Sequence, residues 1–469
     1  MIVRMKRALG IILGLVLALT AGWWLFYLTP SRGAQRDDTI RLGFWGDYQE
    51  YQMWQKVSAA FSREHPQIRV TLEYVPIREY SHKLQTWITS DTVPDVAMMQ
   101  DEPFPRYIAN SQGARPVLLD LTPLIAGQSF GPDTAIRRQD YWQTAWDSFG
   151  RPEKDGWHQY ALPLFGGNNL ILYNRDCFRR AGVPLPDQTH IDENWTVEQF
   201  QELCRQLTIR KEVNGQLRTV QWGFSRPYSW LYWLPFIYAC DADILNADRT
   251  EFVFTGPGAR RSLELWSDLR RKDQAVPTGA DLAQMGEDVA FLSGTVAMFT
   301  SGPWLMPFLN EAKVDYGVLF PPRSPTGQRG TRITWDCVAI PGRLKNDPRR
   351  LKMAYELASF IASPEAARIF AQAQRSIPAN LAGTEPLVAG SDPSRAAKFV
   401  AAMEFSRIQP ITIKWDEMDT ALRNGLEPLT RGEKDAQGSL DLMTGHMLGR
   451  RILPVRMPDG TLLRLEGGK

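Results

Sequence analysis

Alternating apolar and polar positions predict a mixed α/β chain from residue 39 onward. Residues 39–45 (TIRLGFW) are rich in β-formers, and residues 68–75 (IRVTLEYV) alternate between apolar and polar side chains as a half-buried strand does. Between them, residues 50–63 carry apolar side chains at helical spacing and end before a His-Pro pair. Strand, helix and strand in about 40 residues form a βαβ unit, which predicts a mostly parallel sheet.

Further helices, a turn and a loop are predicted along the rest of the chain. Thr196 precedes apolar positions at helical spacing, and Ser363 precedes a proline at a helix start, so both are expected to be N-caps. Residues 351–361 form a strong amphipathic helix pattern. A strand-like VAMF run leads into a Ser-Gly-Pro-Trp turn within residues 296–304, and residues 323–332 (RSPTGQRGTR) are expected to form an exposed loop.

The N-terminal segment has a different pattern. Residues 8–28 (ALGIILGLVLALTAGWWLFYL) are 21 residues without a charge, enough for a helix to span a hydrocarbon core of about 30 Å. Basic residues precede the run and aromatic residues end it, which favours a membrane anchor with its N-terminus in the cytoplasm. A cleaved signal peptide is the alternative. No cysteine precedes Cys177, so a lipidated cysteine is not expected. Residues 1–36 are therefore interpreted as a membrane anchor or signal segment.

Charge excludes one class of partner. The 469 residues include 54 Lys and Arg against 52 Asp and Glu. Residues 1–36 hold five of the basic side chains and none of the acidic ones, so the remainder carries 49 basic against 52 acidic groups. A nearly balanced surface with a slight acidic excess does not predict a nucleic-acid partner.

Cysteine and histidine spacing predicts neither a metal site nor a cofactor. The five histidines are scattered, and the cysteines follow no C-x-x-C pattern. Buried free thiols and disulfide pairs both remain open for the exported cysteines. The chain lacks the H-E-x-x-H, G-x-S-x-G and P-loop patterns, so we do not predict an enzyme. The four cysteines are Cys177, Cys204, Cys240 and Cys337.

Six segments, in order, carry a family resemblance. They are FWGDYQEYQMWQKVSAAF from Phe44, VPDVAMMQDEPFPRYIANSQGARPVLLDL from Val93, LPLFGGNNLILYNRDCFRRAGVPLP from Leu162, NWTVEQFQELC from Asn194, FLSGTVAMFTSGPW from Phe291 and AYELASFIASPEAARIFAQAQRSIPAN from Ala354. Together they resemble the family 1 extracellular solute-binding proteins of ABC importers, the sugar-binding group that includes maltodextrin-binding protein.

The resemblance implies a two-lobed periplasmic-binding-protein-like α/β fold of type II, whose lobes close on a carbohydrate. It implies three interlobe crossovers, near residues 162–167, 335–340 and 375–379. The implied lobes are residues 38–162 plus 337–376 for lobe 1, and residues 163–336 plus 377–469 for lobe 2.

The same resemblance implies the ligand contacts. A pyranose has an apolar face on which an indole stacks, and a rim of hydroxyls that carboxylates and amides can bind. The chain has 16 tryptophans, and those on helix faces, such as Trp54 and Trp266, are expected to be core residues. For the two asparagines, satisfying the backbone at the crossover is an equally good interpretation. The implied contacts are Trp45, Asp47, Asp101, Asn168, Asn169, Tyr228, Trp230, Trp304, Trp335 and Trp415.

The function that follows is capture of a carbohydrate outside the cytoplasm and its delivery to ABC transporter permease subunits. A membrane-tethered sensor or scaffold with the same fold is the main alternative. A glycosidase would need two carboxylates about 5 to 9.5 Å apart, and the adjacent Asp101 and Glu102 are expected to diverge. The particular sugar cannot be read from the sequence.

Overall fold

The computed structural model describes most of the chain after the N-terminal segment. Within the described part, no helix is both long and apolar enough to cross a membrane. The predicted anchor or signal helix at residues 8–28 lies outside the described residues. The described residues are 38–464 without 112, 114, 129, 131–135, 226–228, 283–284, 390–391 and 393.

Strands are numbered here in chain order. They are β1 (Thr39–Gly46), β2 (Arg69–Pro76), β3 (Val96–Gln100), β4 (Gly150–Glu153), β5 (Gly156–Gln159), β6 (Ala161–Asn168), β7 (Leu170–Asn174), β8 (Ile209–Val213), β9 (Gln216–Gln221), β10 (Met298–Ser301), β11 (Tyr316–Leu319), β12 (Thr331–Ala339), β13 (Ile377–Pro378), β14 (Ser406–Ile408), β15 (Val455–Arg456) and β16 (Leu462–Leu463).

Helices connect and cover these strands. The α-helices are Tyr48–Glu64, Ile77–Thr89, Phe104–Ala109, Thr122–Ile125, Gln143–Asp147, Arg175–Ala181, Pro186–Thr189, Val197–Gln206, Leu234–Tyr238, Pro257–Arg271, Gly279–Leu282, Glu287–Leu292, Met306–Glu311, Pro348–Ile361, Pro364–Gln372, Thr384–Ala389, Ala396–Ala401, Trp415–Arg431 and Ala436–Gly449. Short 3₁₀ helices are Arg138–Asp140, Ile191–Glu193, Trp230–Trp233, Pro303–Leu305, Gly342–Asn346, Leu381–Gly383 and Ala402–Phe405.

The largest sheet has the strand order β13-β6-β12-β3-β1-β2. Strand β1 pairs in parallel with β2 and β3, which confirms the predicted βαβ unit. Strand β12 runs antiparallel to β6 along its length, pairs with β14 at residues 331–333 and pairs with β3 at residues 336–339. A second sheet, β10-β7-β11, is antiparallel. The segments predicted as crossovers thus include three neighbouring strands, β13, β6 and β12.

Two hydrophobic cores divide the chain. The first packs strands β1, β3, β6 and β12 against the helices Tyr48–Glu64 and Pro348–Ile361. The second packs the helices Val197–Gln206, Pro257–Arg271, Trp415–Arg431 and Ala436–Gly449 around one another. Strand β7 contributes side chains to both cores, because Leu170 and Leu172 belong to the first core and Ile171 and Tyr173 to the second. The chain is therefore a two-lobed α/β protein, and the exact lobe boundaries stay a prediction.

Local sequence signals had mixed success. The Thr196 hydroxyl accepts from the Gln199 amide, and the Gln199 side chain accepts from the Thr196 amide, so the predicted N-cap is confirmed as a capping box. The Ser363 cap is also confirmed. The exposed loop predicted for residues 323–332 is wrong at its end. Strand β12 starts at Thr331, and Arg332 is buried because its guanidinium finds hydrogen-bond partners inside the protein. The four cysteines are buried free thiols.

The buried carboxylate of Asp95 connects several segments at the end of the first lobe where β3 starts. Asp95 accepts hydrogen bonds from Arg350 Nε and Nη2, each at 2.7 Å, from Arg343 Nη2 at 3.1 Å and from the Arg41 amide at 3.0 Å. Burial opposes ionisation of this carboxyl, but the hydrogen bonds from Arg350 and the Arg41 amide hold its pKa below the usual range. Asp95 therefore anchors the start of β3.

We expect Asp95→Asn to lower the free energy of unfolding by about 3 kcal/mol at pH 7, since it leaves partly buried guanidiniums without their anion. Urea denaturation measures this loss. Because the pKa of Asp95 is lowered in the folded protein, its ionised carboxylate stabilises the fold at pH values above the ordinary aspartate pKa. This stabilisation disappears as the pH falls through the folded pKa, so the difference in unfolding free energy between the unchanged chain and Asp95→Asn should shrink in acid. Glu264→Gln, which breaks a surface pair with Arg260, is the control and should cost less than about 1 kcal/mol. If the two variants lost equal amounts of unfolding free energy, Asp95 would not be the anchor described here for the start of β3.

Candidate functional site

A cleft between the lobes contains two adjacent cavities of about 440 and 260 Å³. Both are lined by Trp45 and Gln100, at the ends of β1 and β3, and by Arg423 from the helix Trp415–Arg431. Parallel strands direct their carboxyl ends to this edge, which is where open α/β sheets bind ligands. A larger groove of about 770 Å³ lies at the opposite strand ends, and its described lining holds no aromatic ring.

Aromatic rings face the larger cavity from both lobes. Trp45 is only 4% exposed and packs against Tyr80 with ring centroids 4.9 Å apart. Trp304 is partly exposed, and its ring lies so close to the Gly167 backbone that a Cβ atom there would come within 2.9 Å of it. The Tyr232 ring meets Trp304 edge-on at 6.3 Å. The predicted Trp45 and Trp304 are thus brought to one cavity, with Tyr232 added.

The other predicted aromatic residues are placed differently. Trp415 lines the smaller cavity and packs against Trp230 with a centroid distance of 5.9 Å. Trp230 is buried, and its indole nitrogen donates to Asp419 at 2.8 Å, so it supports Trp415 from behind. Tyr228 lies outside the described residues.

The two predicted aspartates are already occupied by protein groups and line neither cavity. Asp47 caps the helix Tyr48–Glu64 and accepts from Arg375 Nη2 at 2.6 Å. Asp101 is buried and accepts from Thr334, from the Trp335 amide and from Gln409, at 2.9, 3.1 and 2.7 Å. Burial, followed by the nearby Glu102, raises the pKa of Asp101 to about 8. These contacts give Asp101 a role at the junction of the strands.

The remaining predicted residues lie in the packed sheet beside the cleft. Asn168 is buried, and its side-chain amide donates to the Phe399 carbonyl at 2.9 Å. The Asn169 side-chain oxygen accepts from Arg332, and Trp335 is completely buried. None of the three lines either cavity. For the two asparagines this placement matches the alternative in which they satisfy polar groups at the crossover.

Charged side chains outside the predicted ligand contacts line the larger cavity. Burial is the main cause that raises the pKa of Glu50 to about 7, with Arg375 lowering it and Asp47 raising it. Burial also raises the pKa of Asp336 well above its usual range, helped by Asp101 and Glu50. These lining residues are Glu50, Glu102, Asp336, Arg332, Arg375 and Arg423.

A weak sequence signal existed for two of these residues. Glu50 lies four positions before Trp54, on the apolar face of the predicted helix, and Asp336 interrupts a run of apolar residues in β12. An acidic side chain in a buried pattern is expected to have a structural or functional reason.

One group of possible metal donors lies outside the cleft. The described residues place Glu153, Asp155 and His158 within reach of one another. Both imidazole nitrogens of His158 already contact carboxylates, Asp120 at 2.6 Å and Asp155 at 2.9 Å. The hydrogen bond with Asp120 is the main cause that raises the pKa of His158. These contacts favour an ion-paired surface imidazole.

Comparison with known proteins decides the family. The family described as "Bacterial extracellular solute-binding protein" matches residues 56–395. The chain belongs to this family. This confirms the resemblance to extracellular solute-binding proteins. Membership of this family implies that the protein lies outside the cytoplasm.

Relatives of this solute-binding protein span nearly the same length. A binding protein of Brucella abortus is 24% identical over 82% of this chain and 86% of its own. A galactooligosaccharide-binding protein of Bacillus subtilis is 20% identical over 85% of this chain and 87% of its own. The solved structure of an ABC substrate-binding protein from Listeria monocytogenes, in complex with cycloalternan, has a TM-score of 0.74 at 21% identity and covers 88% of this chain and 99% of its own. That likeness confirms the two-lobed α/β fold.

The raised pKa of Glu50 gives a signed prediction. A folded pKa of about 7, against an ordinary value of 4.5, means that the folded state is penalised as the pH rises through this range. Between pH 4.5 and pH 8, Glu50→Gln should therefore gain stability relative to the unchanged chain, by up to about 3 kcal/mol at about 1.4 kcal/mol per pKa unit.

Denaturation curves at the two pH values measure this gain. Glu417→Gln, on the exposed face of the helix Trp415–Arg431, is the control and should show the same small difference at both pH values. If Glu50→Gln behaved like this control, the account of a penalised carboxyl in the cleft would be wrong.

Proposed function

We propose that this protein captures a carbohydrate in the cleft between its lobes and delivers it to ABC transporter permease subunits. The observation that carries the proposal is a single cavity lined by Trp45 at the end of β1, by Trp304 and Tyr232 opposite it, and by carboxylates and guanidiniums. Indole and phenol faces suit the apolar face of a pyranose, and charged groups make strong hydrogen bonds with its hydroxyls. The names of the Bacillus and Listeria proteins, a galactooligosaccharide-binding protein and a cycloalternan complex, support an oligosaccharide.

The ligand contacts that we propose follow the placement of the side chains. Trp45, Trp304 and Trp415 would offer ring faces to the sugar. Of the other predicted contacts, Asp101 and Trp335 would support the cleft from the sheet. The cavities, of about 440 and 260 Å³, fall near the usual range of ligand sites and together would hold more than one sugar ring.

Closure of the lobes would couple binding to delivery. Contacts already bridge the cleft at its rim, since Arg106 pairs with Asp416 at 2.6 Å and Gln49 donates to Glu311 at 2.9 Å. These exposed contacts are weak on their own, so a ligand touching both lobes would supply the energy that favours the closed form. A closed, loaded form is what a permease can distinguish from an empty one. We further propose that residues 8–28 tether the protein to the membrane, with a cleaved signal peptide as the alternative.

Isothermal titration of the purified full-length protein against a panel of neutral oligosaccharides tests this function. At least one should bind, and Trp304→Ala should weaken that binding at least tenfold, or about 1.4 kcal/mol, because the ring loses its stacking contact. Trp157→Ala is the matched control. Trp157 is also partly exposed, but it lies on the β4–β5 hairpin away from the cleft, so binding should be unchanged. Absence of binding to any glycan would contradict the proposal, and equal losses in the two variants would contradict the assignment of Trp304.

A further inference from the structure

The guanidiniums of the larger cavity already have protein partners. Arg332 is buried, donates to the side chains of Asn169 and Gln409, and lies 5.0 Å from the centre of the Tyr232 ring. Arg423, from the second lobe, pairs with Asp419 at 2.8 Å. Asp419 therefore offsets the charge of Arg423, whereas the hydrogen-bond partners of Arg332 are neutral amides.

Arg375 is the third guanidinium, and it too is paired. Its Nη2 atom lies 2.6 Å from Asp47 and 3.6 Å from Glu50. Its Nη1 atom is buried and has no hydrogen-bond partner among the described residues, which leaves its two N–H groups for an acceptor such as a hydroxyl.

The carboxylates of the same cavity are in the opposite condition. Among the described residues, Glu50, Glu102 and Asp336 accept no side-chain hydrogen bond, although each lines the cavity. The Glu50 side chain is only 7% exposed, and its nearest cation is Arg375 at 3.6 Å. Asp336 lies in β12 between β3 and β6, and the nearby carboxyl groups of Asp101, Glu50 and Glu102 add to burial in raising its pKa. These three carboxylates, Glu50, Glu102 and Asp336, called the acidic floor of the cavity below, therefore have oxygen atoms available to accept hydrogen bonds from a ligand.

An ionised carboxylate away from water is costly unless a cation or several hydrogen bonds compensate it. A neutral sugar supplies hydroxyl donors, and an anionic sugar would add to the repulsion. A protonated amine supplies both the donors and the compensating charge, and its hydrogen bonds to carboxylates are the stronger kind. Glu50, Glu102 and Asp336 outnumber Arg332, the lining guanidinium without an anionic partner among the described residues, so the cavity favours a carbohydrate that carries positive charge.

We propose that the cleft prefers a carbohydrate that carries protonated amino groups, an amino-sugar oligomer, and that Asp336 and Glu50 receive the ammonium group. This inference rests on the proposed function and narrows its ligand class. Trp45 and Trp304 would stack on the sugar rings, while the carboxylates of the acidic floor would bind the ammonium group.

The test compares three trimers of one linkage by isothermal titration into the full-length protein at pH 6. The probes are the β-1,4 trimer of glucosamine, its fully N-acetylated form and cellotriose. These three trimers differ only in the substituent at C2 of each ring, which is an amine, an acetamido group or a hydroxyl. The amine trimer should bind at least about tenfold more tightly than the other two, as expected for hydrogen bonds to a charged group. Asp336→Asn should remove this preference, and Glu50→Gln, a second variant in case the first does not fold, should reduce it. Asp243→Asn, a partly buried carboxylate away from the cavities, is the matched control and should leave the preference unchanged.

Proton release gives a second readout. If the ammonium group drives ionisation of a protonated carboxyl, the measured enthalpy for the amine trimer should depend on the ionisation enthalpy of the buffer, and that dependence should weaken in Asp336→Asn. The inference falls if the amine trimer binds no more tightly than cellotriose, if no trimer binds while another neutral glycan does, or if Asp336→Asn keeps the full preference. In each of those cases binding of a neutral glycan still supports the proposed function, and only a panel without any binding glycan removes both.

Discussion

The pairing of β6 with β12 is the constraint on which the cleft depends. Gly166 faces Trp335 across this pair, and a Cβ atom at Gly166 would come within 2.3 Å of the Thr334 carbonyl oxygen. Only glycine allows so close an approach. The contact fixes the register of β12 and places Gly167 beneath the Trp304 ring. Asp101 reinforces the register from β3 through its hydrogen bonds to Thr334 and the Trp335 amide.

This arrangement separates carboxylates that hold the fold from carboxylates that remain available. Asp95 and Asp101 are both buried, yet their oxygens are used by arginines, amides and a hydroxyl of the protein. Glu50 and Asp336 are placed at the cleft without such donors. Burial raises the pKa of both, as it does for Asp101, so the two groups of carboxylates differ in their hydrogen-bond partners and not in the direction of this shift.

Local features of the fold could be read from the sequence, but the polar part of the site could not. The βαβ unit and the cap at Thr196 were correct because each depends on a few adjacent residues. The family resemblance implied Asp101 and Asn169 as ligand contacts, but the structure gives them hydrogen-bond partners within the protein. Those partners, such as Gln409, are remote in sequence, so no local pattern indicates them. The same holds for Glu50 and Asp336, whose meeting at one cavity depends on the register of β12 against β3 and β6.

A crystal structure of the protein with a bound glycan tests the central claim most directly. The account predicts a sugar between Trp45 and Trp304, with a ring face against the Trp304 indole and polar groups of the sugar within hydrogen-bond distance of Asp336 and Glu50. A glycan bound instead in the groove near Arg115, with the interlobe cleft containing only solvent, would contradict it.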